Sequence, residues 1–284
     1  MPEPGRAAPS SQANPASPAS PQVTPPALVL LCVKSGSTAE AAALLGLRLP
    51  AGTPVLSLQN GIGNPDTARA AAPGLAVIPG MVGFNVVRAS PGHWHRGTWG
   101  ELAAEAHPAL AAWQPVFTAA GLPLALHADL RPVQWGKLLL NLNNPVNALS
   151  GLPLRAQLLD RDLRVVMAAL IEEALAALAA HGIAPAQVAS VPPRRMPMAL
   201  RLPNALFRLA ARGTLRIDAQ ARTSMADDVA RGRPTEIDAL CGEVVRLARA
   251  AGLEARCNAW MVERLGRPAP GRMSGKAMRR ALGL

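Results

Sequence analysis

Tyrosine is absent from this 284-residue sequence, and three phenylalanines and five tryptophans are its only aromatic residues apart from histidine. Half of the residues are nevertheless hydrophobic. A core must therefore consist mainly of Ala, Leu and Val, and a composition rich in Ala and Leu favours helices. The length exceeds that of one average domain of about 100 to 200 residues, which predicts two domains.

Cysteine is almost as scarce, because Cys32, Cys241 and Cys257 are the only three. Their odd number and wide spacing argue against a disulfide framework and against a cysteine-based metal site, and they indicate a reducing compartment. No apolar run reaches the roughly 18 residues that a membrane span needs, and the N-terminus lacks a signal-peptide pattern. We therefore expect a cytoplasmic protein with no membrane partner.

Lysine is rare, although the formal net charge is +11. Lys34, Lys137 and Lys276 are the only lysines, and arginine supplies the other basic side chains. This charge fits an enzyme that binds phosphorylated cofactors or carboxylates, and it also fits weak nucleic-acid binding. Zinc-finger spacing, RNP-like aromatic patterns and contiguous basic runs are all missing, so we expect no nucleic-acid partner. Nucleic-acid binding by the arginines at 194 to 222 therefore ranks last among the hypotheses for this sequence.

The first half of the sequence alternates short apolar runs with helical patterns. Residues 1–26 are rich in Pro, Ala, Ser and Gly, which predicts a disordered tail. An apolar run at 27–33 and another at 53–58 are typical of buried strands, and helices are expected at 37–45 and 66–72. This order of strand, helix, strand and helix predicts a parallel sheet.

Longer helical patterns follow residue 130. Before them, shorter strands are expected at 75–79, 81–88, 93–98 and 122–126. The long helices are expected at 133–149, 160–181 and 236–250, with Gly182 and Gly252 just past the ends of the last two. The basic segment after Gly266 is predicted to be frayed.

Lys137 and Asn141 lie one helical turn apart and share a face. Hydride reduction of a ketone places negative charge on the carbonyl oxygen, so an acid must donate a proton or stabilise that charge. A lysine whose pKa is lowered by its surroundings can do so, whereas arginine does not release its proton. The alternative is a solvated lysine on an amphipathic helix.

Ser224 and Glu236, twelve positions apart, are a second pair of candidates. A purely structural explanation also exists, because Ser224 with Asp227 and Thr235 with Asp238 match the capping-box pattern of a helix N-terminus.

Asn60 and Gly61 follow the second expected strand, at its carboxyl end. Ligands of open parallel sheets bind at such ends. The alternative is an ordinary Asn-Gly turn, in which glycine adopts a positive φ.

Taken together, these motifs resemble the ketopantoate reductase family. They are Leu-Leu-Cys-Val-Lys34, Leu-Gln-Asn60-Gly61, Trp-Gly-Lys137-Leu-Leu-Leu-Asn141, Ser224-Met225 and Thr235-Glu236-Ile-Asp238, in the family's order and approximate spacing. The resemblance extends from residue 27 to about 265. It implies a Rossmann-like NAD(P)-binding domain at 27–129, followed by an all-helical substrate and dimerisation domain at 130–265.

The resemblance also implies a reaction, the reduction of 2-dehydropantoate to pantoate with NADPH on the way to coenzyme A. The protein would act on a small 2-keto acid and could form a homodimer. By resemblance, the catalytic residues are Lys137 and Glu236, the substrate-binding residues are Asn60, Asn141 and Ser224, and the cofactor-binding residues are Lys34, Asn60 and Glu236.

One family motif is missing, since no G-x-G-x-x-G turn occurs in the sequence. We therefore expect a Rossmann-like domain that lacks its first βαβ unit and has an uncovered sheet edge with an exposed apolar flank. Two alternatives stay open: another 2- or 3-hydroxyacid dehydrogenase, or an inactive remnant whose helices bind a partner. The Asn-Pro pair at Asn144 comes one position earlier than is usual in the family, which leaves the register of Asn143, Asn144 and Asn147 open.

His93 and His95 alternate around Trp94 and would share one face of a strand. They could bind a metal, but no third ligand is evident nearby, so an exposed strand is favoured and no metal is expected.

Overall fold

The computed structural model of the chain describes residues 24–96, 100–213, 215, 218, 220–267 and 270–284, and for 87–89 the backbone alone. Residues 1–23 of the expected tail and residues 97 and 98 of the expected strand at 93–98 lie outside this range. The strands are β1 Val29–Leu31, β2 Pro54–Ser57, β3 Ala76–Val82, β4 Val86–Ser90, β5 His93–Arg96, β6 Leu102–Glu105 and β7 Leu124–His127.

Five of these strands form one sheet in the order β1-β2-β3-β6-β7. β1 pairs with β2 in parallel, and β2 pairs with β3 in parallel, with Val55 opposite Val29 on one side and Val77 on the other. β6 and β7 are also parallel, whereas β3 and β6 are antiparallel. The expected α/β class is thus confirmed, with one antiparallel pair, and β4 and β5 form a separate hairpin.

The sequence pattern missed β6. Its residues, Leu-Ala-Ala-Glu, are good helix formers, so local propensity predicts no strand. In the structure Leu102, Ala103 and Ala104 are buried between β3 and β7. Pairing on both sides therefore outweighs propensity, as is usual for a central strand. The two strands expected at 75–79 and 81–88 are instead the continuous β3 and the hairpin strand β4.

Helices cover the sheet and then make up the rest of the chain. In the sheet region they are α1 Thr38–Arg48, α2 Asn64–Ala71, α3 Pro108–Ala111 and α4 Gln114–Ala119. After it come α5 Arg131–Asn141, α6 Asn143–Ser150, α7 Leu154–Leu159, α8 Arg161–Ala180, α9 Met196–Arg201, α10 Asn204–Ala210, α11 Ser224–Ala230, α12 Glu243–Ala250, α13 Arg256–Gly266 and α14 Gly275–Leu282.

The helix expected at 133–149 is two helices, α5 and α6, which meet at Leu142. Pro145 explains the interruption. Proline has no N–H to donate to the carbonyl of Asn141 four positions earlier, and its ring clashes with that carbonyl. Lys137 and Asn141 therefore occupy the last turns of α5 rather than the middle of a long helix.

The core of the helical half surrounds α8. Asp160 caps this helix, because its side chain accepts hydrogen bonds from the backbone N–H groups of Asp162 at 2.8 Å and Leu163 at 3.2 Å. Leu170 and Ile171 are completely buried and belong to a cluster that also includes α6, α12 and α13. The predicted helix at 160–181 is confirmed.

The expectation of a frayed segment after Gly266 is wrong for α14. Ser274 caps this helix by accepting a hydrogen bond from the N–H of Ala277 at 3.3 Å, and Met278 is completely buried in the core that α8 shares. The basic composition misled the prediction, because Arg279 turns inward and pairs with Asp162 of α8 at 2.6 Å.

β1 forms one edge of the five-stranded sheet. Leu30, on this strand, has 46% of its surface exposed, and Val33, just past its end, has 37%. An apolar edge of this kind, in the described part of the chain, matches the expected uncovered flank.

A test of the docking of α14 compares two methionines. Met278→Ala should lower the free energy of unfolding by about 2 to 5 kcal/mol, because a buried side chain leaves a cavity when it is shortened. Met198→Ala is the matched control, since 67% of Met198 is exposed, and it should change stability by less than about 0.5 kcal/mol. Urea unfolding followed by circular dichroism measures both, and equal effects would contradict the placement of α14.

Candidate active site

The candidate residues gather where β1 and β2 end. The segment after β1 carries Lys34 and Ser35, and the segment after β2 carries Asn60, so both lie at the carboxyl edge of the parallel strands. Helix α5 brings Lys137 to the same place, and the segment before α12 brings Glu236. The edge predicted from the sequence is thus where the structure brings these side chains together.

Asn60 lies between the cation and the anion of the site. Lys137 Nζ donates a hydrogen bond to Asn60 Oδ1 at 3.0 Å, and Asn60 Nδ2 donates to Glu236 Oε2 at 3.3 Å. An amide has its acceptor on one side and its donors on the other, so these two bonds determine which way it faces.

Ser35 holds the other oxygen of the Glu236 carboxylate. Its backbone N–H donates to Glu236 Oε1 at 3.1 Å, and its hydroxyl donates to the same oxygen at 2.9 Å. A carboxylate that accepts bonds from three donors is fixed in both position and orientation. The sequence reasoning did not identify Ser35, whose only signal was its place beside Lys34.

A second row of polar side chains supports these residues from the sheet side. Asn64 Nδ2 donates to the Asn60 carbonyl at 2.6 Å, and Thr38 donates to Asn64 Oδ1 at 3.0 Å. Gln59 donates to the Thr38 hydroxyl at 2.6 Å and accepts from Ser57 at 2.9 Å. Because most of these groups are buried, their bonds hold the turn after β2 rigid.

Gly61 allows the turn after β2 to approach the helical half closely. Its φ is +90°, and a Cβ at this position would lie 2.8 Å from the carbonyl oxygen of Ala239. Ala239 belongs to a π-helical turn, Asp238–Gly242, just after Glu236, and such turns frequently occur at functional sites. The Asn-Gly pair thus has the positive-φ glycine of the alternative interpretation, and it is also a contact between the two halves.

The Lys137 amine is partly buried. Burial lowers the pKa of Lys137 from its usual value to about 8, while the Glu236 carboxylate opposes this shift by raising it. A lysine with this pKa is mostly protonated at neutral pH and can still release its proton readily.

Lys34 forms an ion pair with Asp228 of α11, and Arg233 Nη2 lies 2.8 Å from the other oxygen of the same carboxylate. The sequence analysis identified neither Asp228 nor Arg233. The buried acid sits four positions after Ser224, a spacing that places both on one helical face and could have indicated it.

Asn141 and Ser224 are not part of the hydrogen-bonded row of Lys137, Asn60 and Glu236. Within the described residues, neither makes a hydrogen bond to Lys137, Asn60 or Glu236. Asn141 is the last residue of α5, and Ser224 is the exposed first residue of α11.

Asn147 determines where α11 begins. It is completely buried, and its Oδ1 accepts hydrogen bonds from the backbone N–H of Thr223 at 3.0 Å and from its hydroxyl at 3.1 Å. Asn143 accepts a hydrogen bond from Gln157. Asn143 and Asn147 therefore make contacts within the helical half.

The capping boxes that were the alternative explanation for Ser224 and Glu236 do not form. Thr223, rather than Ser224, caps α11, since its hydroxyl accepts from the N–H of Ala226 at 3.2 Å. Thr235 does not cap the next helix, and Asp238 pairs with Arg246 instead, at 3.0 Å. Ser224 is thus left facing solvent.

The two histidines considered as metal ligands, His93 and His95, make no hydrogen bond to the row of Lys137, Asn60 and Glu236 among the described residues, and both are exposed on β5. Cys32, Cys241 and Cys257 are free. In the described ranges, no group of three or more His, Cys, Asp or Glu side chains could hold a metal ion. Among the same residues, no helix is long and apolar enough to cross a membrane.

The pKa of Lys137 can be measured by amine acylation at a series of pH values, with mass spectrometry of the peptides. Its labelling should rise with a midpoint near pH 8, because burial lowers the pKa to about 8. Glu236→Gln should move the midpoint lower still, since the carboxylate that raises the pKa is removed. Asp238→Asn, which changes an exposed carboxylate, is the control and should not shift it. A midpoint near the ordinary lysine value of about 10.4 would contradict the burial of the amine.

Two family models match most of the chain. The model described as "Ketopantoate reductase PanE/ApbA" matches residues 5–109, and the one described as "Ketopantoate reductase PanE/ApbA C terminal" matches residues 129–267. The 2-dehydropantoate 2-reductase of Halobacterium salinarum is 28% identical over 228 residues, which are 78% of this chain and 69% of that protein.

The chain is also similar to solved structures. A PanE/ApbA family ketopantoate reductase from Ralstonia eutropha superposes with a TM-score of 0.70 and 29% identity, over 91% of this chain and 77% of the other. D-mandelate dehydrogenase in its structure with NADH and anilino(oxo)acetate has a TM-score of 0.66 at 17% identity, over 92% and 78% of the two chains, which is a likeness of fold alone. Because these two family models together match most of its residues, the chain belongs to the ketopantoate reductase family.

Proposed function

We propose that this protein reduces 2-dehydropantoate to pantoate with NADPH. The observation that carries the proposal is the bonded row in which Asn60 joins the Lys137 amine to the Glu236 carboxylate at the carboxyl edge of a parallel sheet. Membership of the ketopantoate reductase family supports the reaction type, an oxidoreduction of a small keto acid.

Lys137 acts as the general acid. As the substrate carbonyl becomes an alkoxide, the Lys137 ammonium donates a proton to its oxygen. A pKa of about 8 suits this step, because the group is charged at neutral pH and gives up its proton more easily than an exposed lysine. Asn60 orients the amine through the bond at Oδ1.

Glu236 is the second catalytic residue in this proposal. Its negative charge favours the protonated form of Lys137. Ser35 and Asn60 hold the carboxylate in an orientation from which it would accept a hydrogen bond from a hydroxyl of the substrate or of the cofactor. Asn141 and Ser224 are proposed to bind substrate, and their freedom from the bonded row leaves their polar groups available to it.

The residues present fit one end of a nicotinamide cofactor. Lys34, Asn60 and Glu236 border the end of β1, and open space surrounds the position that a Cβ would take at Gly36, so a ligand can approach the backbone there. The sequence contains no G-x-G-x-x-G turn for a pyrophosphate. When bound, NADPH supplies the hydride, and the residues described above bind, orient and protonate.

A second candidate is the reduction of another 2-keto acid. The likeness of fold to D-mandelate dehydrogenase favours it, because the same architecture serves a different hydroxy acid there. A panel that includes 2-dehydropantoate and phenylglyoxylate separates the two candidates, and the substrate with the higher kcat/KM identifies the function.

The proposed role of Lys137 predicts a pH dependence. The rate of keto-acid reduction should fall as pH rises through about 8, because the proton donor is lost, and oxidation of pantoate should rise through the same pH. Lys137→Ala should lower kcat by about 10² to 10⁴, whereas Lys276→Ala, at an exposed position on α14, should leave it unchanged. Steady-state kinetics from pH 6 to 10 provide the measurement.

Calorimetric titration of NADPH, with and without 2-dehydropantoate, accompanies these kinetics. Saturable NADPH binding that the keto acid strengthens is expected. A folded protein that binds no NADPH would contradict the proposed function and favour the inactive-remnant alternative.

A further inference from the structure

Asp228 is a buried carboxylate that two cations share. Only 4% of its side chain is exposed, Lys34 pairs with Oδ2, and Arg233 Nη2 lies 2.8 Å from Oδ1. The backbone N–H of Arg233 also donates to the Asp228 carbonyl at 2.8 Å. Burying a carboxylate is costly unless it is paired, so these contacts strongly fix where both cations lie.

The two cations remain half exposed. The exposed fraction of the side chain is 51% for Lys34 and 48% for Arg233, and one carboxylate neutralises only one of them. Within the described residues, the side chain of Arg233 makes no hydrogen bond besides its contact with Asp228. A surplus positive charge, with unused N–H donors, therefore faces solvent.

This surplus charge borders the row of Lys137, Asn60 and Glu236. Lys34 directly precedes Ser35, whose N–H holds the Glu236 carboxylate, and Arg233 lies three residues before Glu236. In the row itself, one cation and one anion balance each other. The net charge of the whole cluster is thus +1, which suits a bound monoanion.

Ser224 adds a hydroxyl to the same region. It lies one helical turn before Asp228 on α11, so the two residues share a face. Its exposed side chain is therefore on the side of α11 where Asp228 holds the cations.

We propose that Arg233 and Lys34 form an oxyanion subsite, with Asp228 as the residue that positions them, and that this subsite binds the carboxylate of the 2-keto acid. The carboxylate assignment rests on the proposed function, whereas the subsite itself rests on the charges and exposure described above. A phosphate group offers the same chemistry, and guanidinium groups bind either anion through paired N–H donors.

Calorimetry on the full chain tests the subsite with three probes: pantoate, its neutral carboxamide and inorganic pyrophosphate. Arg233→Gln should weaken pantoate binding by about 10- to 100-fold, because a hydrogen bond to a charged group is lost, and it should leave carboxamide binding unchanged. Arg233→Lys keeps the charge and should recover part of the affinity.

Arg201→Gln is the matched control. Arg201 is also an arginine paired with a carboxylate, that of Glu172, and it should leave all three affinities unchanged. Circular dichroism establishes that each variant is folded, which the half-exposed position of Arg233 favours.

The outcomes separate the possible ligands. Loss of pyrophosphate affinity alone in Arg233→Gln would assign the subsite to a cofactor phosphate. Unchanged affinities for both anions, or a wild-type protein that binds neither, would overturn the subsite. A protein that binds pantoate through Arg233 but does not reduce 2-dehydropantoate would refute the proposed function and leave the subsite standing.

Discussion

The amide of Asn60 is the interaction on which the site depends. Its oxygen faces Lys137 of α5 and its nitrogen faces Glu236, which lies in the segment before the π-helical turn, so a single side chain connects an amine and a carboxylate that are far apart in the sequence. The turn after β2 supplies this side chain, and Gly61 lets that turn touch the π-helical turn at Ala239. A residue with a Cβ could not approach so closely, because that atom would lie 2.8 Å from the carbonyl oxygen of Ala239.

In the helical half, the site residues lie next to interruptions of regular helix rather than in the middle of long helices. Pro145 ends α5 soon after Lys137, and the π-helical turn follows directly on Glu236. Asn147, just beyond the break, binds Thr223 and so determines where α11 begins. Ser224 and Asp228 take their positions from that start. Through these hydrogen bonds, the buried amide of Asn147 connects α6 to the start of α11.

Charge in this chain is divided between two kinds of basic residue. Arginines pair with carboxylates at the surface, as Arg201 does with Glu172 and Arg246 does with Asp238. Lys137 is different, because burial lowers its pKa to about 8. An arginine could not serve as the proposed proton donor, since its guanidinium stays charged across this pH range.

The sequence by itself determined the α/β class, the long helix α8 and the identity of Lys137, Asn60 and Glu236 as candidates, because apolar periodicity and residue chemistry are local properties. It could not find β6, whose Leu-Ala-Ala-Glu pairs as a strand only when β3 and β7 lie beside it. It also missed the docked helix α14 and the capping of α11 by Thr223. Ser35, Asp228 and Arg233 joined the site only in the tertiary structure, since their partners lie far along the chain and no local pattern records a contact between distant segments.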